Sequence, residues 1–180
     1  MTDFYTGKGD SGSTGVLASG RLPKDDPAIE AIGDVDELNS AVGIAIFYTR
    51  DEELRRSLKM MQNELFILGA ELASLQGGAA TKVRMGKEYV ERLEQEMNRI
   101  NEKVPQLKKF VIPGGCEGAV HLQHARAIAR RAERHMVASY RKYRANDLAL
   151  KYINRASSYL FAAAIYLNYT EGVEESHPTY

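Results

Sequence analysis

The sequence predicts an all-α fold: a five-helix antiparallel bundle with a glycine-rich N-terminal arm. Three observations lead there. Proline is absent from 28 to 104 and from 114 to 177, five of the 15 glycines fall within the first 20 residues, and no stretch alternates apolar and polar residues convincingly. Long proline-free stretches rich in Ala, Leu, Glu, Arg and Lys favour helices. Amphipathic helices joined mostly by short connections bury their apolar faces most simply against one another. A chain of 180 residues can bury a real core and most often forms one domain. The expected division is an arm at 1–26, a bundle at 27–169 and a tail at 170–180, the tail loosely held.

Each helix has its own signal. The first is expected from Pro27, behind Asp25-Asp26, to about Tyr48, because proline suits a first helical turn. Ile29, Ile32, Val35, Leu38, Val42 and Ile46 recur along it at helical spacing. Asp51 can cap the second, where Leu54, Leu58, Met61, Leu65, Leu68 and Leu72 form one stripe that ends near Gln76-Gly77-Gly78. The third runs from about Gly86 to Glu102 on Val90, Leu93, Met97 and Ile100. Val104 to Gly115 holds Pro105, Pro113 and two glycines and reads as a loop. A fourth helix follows from about Glu117 to Tyr143, and a fifth from about Asn146 to Asn168.

The bulk numbers exclude several classes. With 24 basic and 24 acidic residues, the chain lacks the basic surplus of a general nucleic-acid coat. A single Cys116 excludes an internal disulfide framework. No apolar N-terminal stretch resembles a signal peptide, and no run reaches the roughly 18 apolar residues of a membrane span. The expectation is a soluble, cytoplasmic protein without nucleic-acid or membrane partners.

The arm reads YTGKGDSGSTG from Tyr5 to Gly15 and contains Gly7-x-Gly9-x-x-Gly12. A Rossmann loop needs a strand before these glycines and a helix directly after them. Only six residues precede Gly7, and the next expected helix starts about 15 residues after Gly12. A P-loop needs lysine after its last glycine, where Ser13 stands. Both folds are excluded, yet the composition suits phosphate. Glycines let the backbone approach a ligand, Thr6, Ser11, Ser13 and Thr14 offer hydroxyls, Lys8 offers a cation, and amide N–H groups can face phosphate oxygens. The same composition also suits a flexible terminus with no role.

The fourth helix carries HARAIARRAERHM from His124 to Met136. Arg126, Arg130 and Arg134 are four residues apart and share a face, their stems spanning roughly 12 Å, about the reach of an extended polyphosphate. Arginine's fixed fork of donors suits phosphate oxygens, and Glu133 could aim Arg130 or Arg126 by pairing with it. A solvated charged face would look similar. Alanines at 125, 127, 129 and 132 permit close approach by a helix or ligand. Phe110, ahead of Pro113-Gly114-Gly115, suits either core filling or the wall of an apolar cofactor. Asn154, Arg155, Ser157 and Ser158 interrupt an apolar segment, and polar groups aimed into a bundle need partners. Asp36, within GDVDELNS, would make a natural lock with an arginine across the bundle.

Taken in order, these segments resemble the trimeric helical-bundle (PduO-type) family of ATP:cob(I)alamin adenosyltransferases. The matches are T-x-x-G-D-x-G-x-T at Thr6 to Thr14, Lys24-Asp25-Asp26, and Gly33-x-x-Asp36-Glu37-Leu38-Asn39-Ser40. They continue with Phe110-x-x-Pro113-Gly114-Gly115, then Arg126 with Arg130-Arg131-Ala132-Glu133-Arg134, then Asn154-Arg155. Singly each is weak; the ordered set covers nearly the whole chain and is specific. Four positions depart from the family pattern: lysine stands at 8 with Gly7 in its usual place, Ala156 replaces a common Leu, Ser158 a common Asp, and Gln123 a common His.

The resemblance implies a homotrimer with active sites between adjacent subunits. Thr6, Gly7, Lys8, Gly9, Thr14, Gly15 and Lys24 would enclose ATP as the arm orders. Arg130, Arg131, Ala132, Glu133, Arg134 and Asn154 would contact it from the bundle, with Mg²⁺ helping to neutralise the triphosphate. Asp36 and Arg126 would form an ion pair at the subunit boundary, and Phe110 would pack against the lower corrin face and displace the axial base. Asp36, Phe110, Arg126 and Arg130 are thus the residues implied to carry adenosyl transfer to cobalamin. The implied protein partners are a cobalt reductase and an adenosylcobalamin-dependent client enzyme.

Two other classes fit the residues less well. A ferritin-type metal bundle needs Glu-x-x-His pairs, and none of His121, His124, His135 or His177 has Glu three residues before it. Glu117, His121 and His124 do share a helical face, which leaves a lone metal site conceivable. A non-enzymatic oligomeric scaffold or local RNA binder would use the arginine helix, but the net charge is zero and no stacking-aromatic platform is visible.

Overall fold

The computed structural model describes residues 5–17, 20–74, 84–143 and 146–179. In chain order it holds two short strands, β1 (Ser13–Gly15) and β2 (Arg21–Pro23), and five helices. These are α1 (Pro27–Tyr48), α2 (Glu52–Leu72), α3 (Lys87–Lys103), α4 (Glu117–Lys142) and α5 (Asp147–Thr170).

Local chemistry sets the helix starts. The Asp26 carboxylate accepts the Ala28 N–H at 2.9 Å, with Pro27 in the first turn. Asp51 accepts the Leu54 N–H at 2.7 Å to open α2, and Asn146 accepts that of Leu148 at 3.1 Å to open α5. Each satisfies an amide that the helix cannot pair internally. α2 stops at Leu72, and the expected stop at Gln76-Gly77-Gly78 lies outside the described residues.

Around the bundle, α2 packs on α1, α1 on α4, α4 on α5, and α5 on α3. Successive helices run antiparallel, so α3 and α5 lie side by side in the same direction, as Glu94–Arg155 and Lys103–Tyr166 contacts show. The core is built from Leu38 and Val42 on α1, Leu58, Met61, Leu65 and Leu68 on α2, and Leu122 and Met136 on α4. Buried alanines at 125, 129 and 132 on α4, and at 156, 163 and 164 on α5, keep the α4–α5 seam thin. Burial of this kind is worth about 25 cal/mol per Å² of apolar surface and supplies the main driving force for folding.

One buried polar network ties α2, α3 and α5 together. Glu64, 4% exposed, pairs with Arg92 through both carboxylate oxygens and accepts the Tyr152 hydroxyl at 2.8 Å. Ser57 accepts from Arg92 Nη1 at 3.1 Å and from the Tyr159 hydroxyl at 2.7 Å. Within this network the Glu64, Arg92, Ser57, Tyr152 and Tyr159 side chains satisfy one another, which is the condition for tolerating charge in a core.

Two features correct the sequence reading. The arm holds an antiparallel ribbon, Thr14 opposite Leu22, where no strand was expected. Three residues per strand are too few to show alternation, and the pairing is set by backbone turns at Gly12 and Gly20, both with positive φ. The tail, expected to hang loosely, is tied down. The Val173 N–H donates to the Asn168 carbonyl and the Ile112 N–H to the Ser176 carbonyl, each at 2.8 Å.

Candidate functional site

The arm presents its backbone in a compact, clamped form. Gly7 and Gly12 adopt left-handed φ values of 65° and 79°, which a side chain would strain. Arg21 reaches back from β2 to hold the loop. Its Nε donates to Ser13 Oγ at 3.0 Å, and its Nη2 donates to the Ser13 carbonyl at 2.6 Å and to the Lys8 carbonyl. The Lys24 N–H donates to the Gly12 carbonyl at 2.9 Å. Its ammonium lies against Gly9, where an added Cβ would sit 3.5 Å from Nζ. The Lys8 N–H reaches the Thr6 hydroxyl at 3.4 Å. Thr14 and Gly15 sit in β1, opposite Leu22 and Arg21. The structure thus gathers Thr6, Gly7, Lys8, Gly9, Thr14, Gly15 and Lys24 into one cationic glycine-rich unit.

The four arginines from Arg126 to Arg134 on α4 divide into two sets. Arg131 turns toward α1, donating to Asp34 Oδ1 at 2.9 Å and to Glu37, while His135 Nδ1 lies 2.6 Å from Asp34 Oδ2. The Asp34 hydrogen bond pushes the Arg131 pKa up. Arg126, Arg130 and Arg134 meet no carboxylate among the described residues. Arg126 Nε donates to Gln123 Oε1 at 2.8 Å and its guanidinium lies 6.0 Å from the Phe161 ring centroid. Arg134 Nη1 donates to the Arg130 carbonyl at 3.0 Å, and Arg130 is exposed. Partial burial, and then the nearby charge of Arg130, lower the Arg126 pKa. Such a row of donors without acid partners is built to receive an anion.

Several expected roles shift. Within the chain the acid–arginine lock between α1 and α4 uses Asp34 and Glu37 with Arg131, not Asp36. Asp36 is exposed, beside a cavity of about 290 Å³ lined by Leu17, Ile32, Leu65 and Phe66. Glu133 pairs with neither Arg130 nor Arg126; its Oε1 accepts the Asn154 Nδ2–H at 2.9 Å. Ala132 is fully buried, so its methyl packs in the core rather than against a ligand. His121, the centre of the conceivable metal site, stacks on Tyr48 with ring centroids 4.6 Å apart. Among the described residues no three His, Cys, Asp or Glu side chains gather to hold a metal ion.

Phe110 stands out differently. It is 80% exposed, an expensive place for an aromatic unless something covers it. The loop that carries it is strapped by the tail: His177 Nδ1 lies 2.8 Å from the Phe110 carbonyl. Asn168 donates from Nδ2 to the Gly114 carbonyl at 3.1 Å and to Glu175 at 3.0 Å, and accepts the Cys116 N–H at 3.0 Å. Between loop and tail lies a cavity of about 680 Å³ lined by Leu107, Lys108, Ile165, Tyr169, Val173 and His177. A second cavity of about 600 Å³ joins the same loop to Phe161, over which Arg126 lies. Sequence reasoning missed Arg21, Asn168, Ser176 and His177. Arg21 amid glycines carries a faint signal; a polar tail carries none.

The chain matches the family model described as cobalamin adenosyltransferase over residues 4–167. It is 44% identical over 165 residues to a corrinoid adenosyltransferase from Citrobacter freundii, covering 91% of this chain and 94% of that protein. It is 39% identical over 174 residues to one from Bacillus subtilis, covering 94% and 89% respectively. Among solved structures it is similar to a variant of the PduO-type ATP:corrinoid adenosyltransferase from Lactobacillus reuteri complexed with cobalamin and ATP. That likeness has a TM-score of 0.92 at 36% identity, over 99% of this chain and 100% of that one. A second variant of the same enzyme, complexed with ATP, gives a TM-score of 0.90 at 36% identity over 98% and 100%.

Proposed function

The chain belongs to the cobalamin adenosyltransferase family, and we propose that its arm and its unpaired arginines hold ATP while Phe110 meets the corrinoid. The chain is an enzyme that transfers the 5′-deoxyadenosyl group of ATP to cob(I)alamin, giving adenosylcobalamin and triphosphate. The observation that carries the residue-level reading is the row of Arg126, Arg130 and Arg134, without acid partners among the described residues, beside Arg131, which Asp34 and Glu37 neutralise.

In the reaction the electron pair of cobalt(I) forms a bond to C5′ of ATP. The C5′–oxygen bond breaks, and its electrons leave on the triphosphate. The nucleophile belongs to the corrinoid substrate, so the chain supplies position and charge instead. Arg130, Arg134 and Lys24 face the triphosphate and stabilise the charge that grows on it. Mg²⁺ enters with ATP as part of the substrate, held chiefly by phosphate oxygens. The arm's amide groups, kept in register by Arg21, close over the phosphates. Asn154 and Glu133 contact the nucleotide from α5 and α4. Phe110 packs on the lower corrin face and displaces the axial base, which eases reduction to cobalt(I).

Three copies complete the site. Ile44, Phe47, Met60 and Phe66 leave large apolar surface exposed on α1 and α2, and Asp36 has no cation partner among the described residues of its own chain. Packing between copies covers that surface and brings Asp36 to a neighbour's Arg126. Arm, bundle and tail act as one catalytic unit. A cobalt reductase supplies the reduced corrinoid and an adenosylcobalamin-dependent enzyme takes the product. No helix among the described residues is long and apolar enough to cross a membrane, in keeping with work in the cytoplasm.

The test is direct. The purified chain is mixed with ATP, Mg²⁺ and chemically reduced cobalamin, and the corrinoid spectrum and triphosphate are followed. Equal amounts of adenosylcobalamin and triphosphate are expected; a spectrum that stays that of the starting corrinoid contradicts the reading.

A further inference from the structure

We propose that Glu94 and Arg155 are positioning residues for the nucleotide site, acting through Asn154 by fixing which way its side-chain amide points. The proposal rests on the reading of Asn154 as a nucleotide contact. A relay of three hydrogen bonds crosses three helices. On α3, Glu94 Oε1 accepts from Arg155 Nε at 2.8 Å. On α5, Arg155 Nη1 donates to Asn154 Oδ1 at 3.0 Å. Asn154 Nδ2 then donates to Glu133 Oε1 on α4 at 2.9 Å.

The chemistry of the neighbours settles the amide. A guanidinium only donates and a carboxylate only accepts, so Arg155 must face the amide oxygen and Glu133 the amide nitrogen. Both neighbours demand the same orientation. One N–H of Asn154 is then committed to Glu133, and no hydrogen bond among the described residues uses the other. Asn154 therefore offers a nucleotide a fixed N–H donor, suited to a phosphate, ribose or ring acceptor atom, while its amide oxygen is turned to Arg155. Glu133, with one oxygen engaged, keeps its second free to accept.

Glu94 matters because Arg155 is long and about one-third exposed. Without an anchor its rotamers are free, and holding them costs entropy. The Arg155 hydrogen bond also holds the Glu94 carboxyl below its ordinary range, favouring the charged form that accepts it. As a surface ion pair the contact adds little to folding stability. Its effect lies in orientation, which separates a positioning role from a structural one.

The experiment compares steady-state kinetics of the full chain with Glu94→Ala, Glu94→Gln, Asn154→Ala and the Glu94→Ala/Asn154→Ala double variant, varying ATP and corrinoid separately. Glu94→Ala is expected to raise KM for ATP roughly three- to tenfold, the scale of one misdirected hydrogen bond, with kcat and corrinoid KM within about twofold. Glu94→Gln should restore most of the loss, because its amide oxygen still accepts from Arg155 Nε. The double variant should be no worse than Asn154→Ala, since a relay acting through Asn154 has nothing left to orient. An unchanged KM in Glu94→Ala beside an impaired Asn154→Ala overturns the relay alone, as do penalties that multiply in the double variant. A normal Asn154→Ala instead removes Asn154 from the nucleotide site, and the relay's purpose with it.

Discussion

Arg131 binds Asp34 at 2.9 Å across the α1–α4 seam, while Arg130, its neighbour in sequence, faces outward with no carboxylate partner among the described residues. Successive helical residues point about 100° apart, so one arginine locks α4 to α1 while the next turns outward, where we propose it meets the triphosphate.

The two arginines should therefore fail differently. Arg130→Ala is expected to lower kcat/KM for ATP by about 10- to 100-fold, the scale of losing one or two charge-assisted hydrogen bonds, with Tm nearly unchanged. Arg131→Ala should lower Tm, because it leaves the buried Asp34 carboxylate short of its arginine. Thermal unfolding and steady-state assays on both variants decide the matter; equal kinetic defects with equal Tm would place both residues in one role.

Phe110 gives a second contrast. Phe110→Ala should slow turnover strongly when the assay starts from cob(II)alamin and a reductant, and much less when cob(I)alamin is supplied ready-made. Asn168→Ala should mimic it in part, since Asn168 holds the loop through Gly114 and Cys116 and the tail through Glu175. Unaltered turnover of Phe110→Ala from cob(II)alamin would remove the ring from the step.

The Glu64 network makes a stability prediction. Glu64→Ala leaves Arg92 partly buried without its acid and Tyr152 without its acceptor. The expected loss is about 3–5 kcal/mol, the cost of breaking a buried pair on one side. Urea unfolding at neutral pH measures it, and a loss below about 1 kcal/mol would mean that the network is dispensable.

Asp26 sets an acid dependence. Burial pushes its pKa up, but hydrogen bonds from Lys142 at 2.6 Å, the Ala28 N–H and the Tyr143 hydroxyl outweigh that and hold it below the ordinary 3.8. A carboxylate depressed by folding stabilises above its unfolded pKa, and that stability is lost as pH falls through the lower folded value. Asp26→Asn keeps a helix cap but removes the charge. Its stability deficit should be constant above about pH 5 and shrink as pH drops below the ordinary carboxylate value. A deficit independent of pH down to acid unfolding would assign it to shape, not charge.

Much of the molecule is legible in the residues because a helix writes its period in the chain. Pro27 after Asp26, and Asp51 before the α2 stripe, mark starts that the structure reproduces. Spacing tells which residues share a face, but not which neighbouring helix covers that face. That is why spacing alone points Glu133 to Arg130 or Arg126 when it meets Asn154, and points Asp36 to the lock within the bundle that Asp34 and Glu37 make. The arm's strands are too short to alternate. The tail's ties run through backbone groups of Ile112 and Ser176, which no side chain announces. The Glu94 relay joins residues 61 apart and is a product of tertiary packing.

In the proposed reaction the arm closes on a triphosphate held by Arg130 and Arg134 of α4. A crystal structure of the chain with ATP and Mg²⁺ tests it most directly. Phosphate oxygens are expected within hydrogen-bond distance of Arg130 and Lys24, with the Thr6 to Gly15 loop folded over them. Nucleotide bound elsewhere, with that loop disordered, would contradict it.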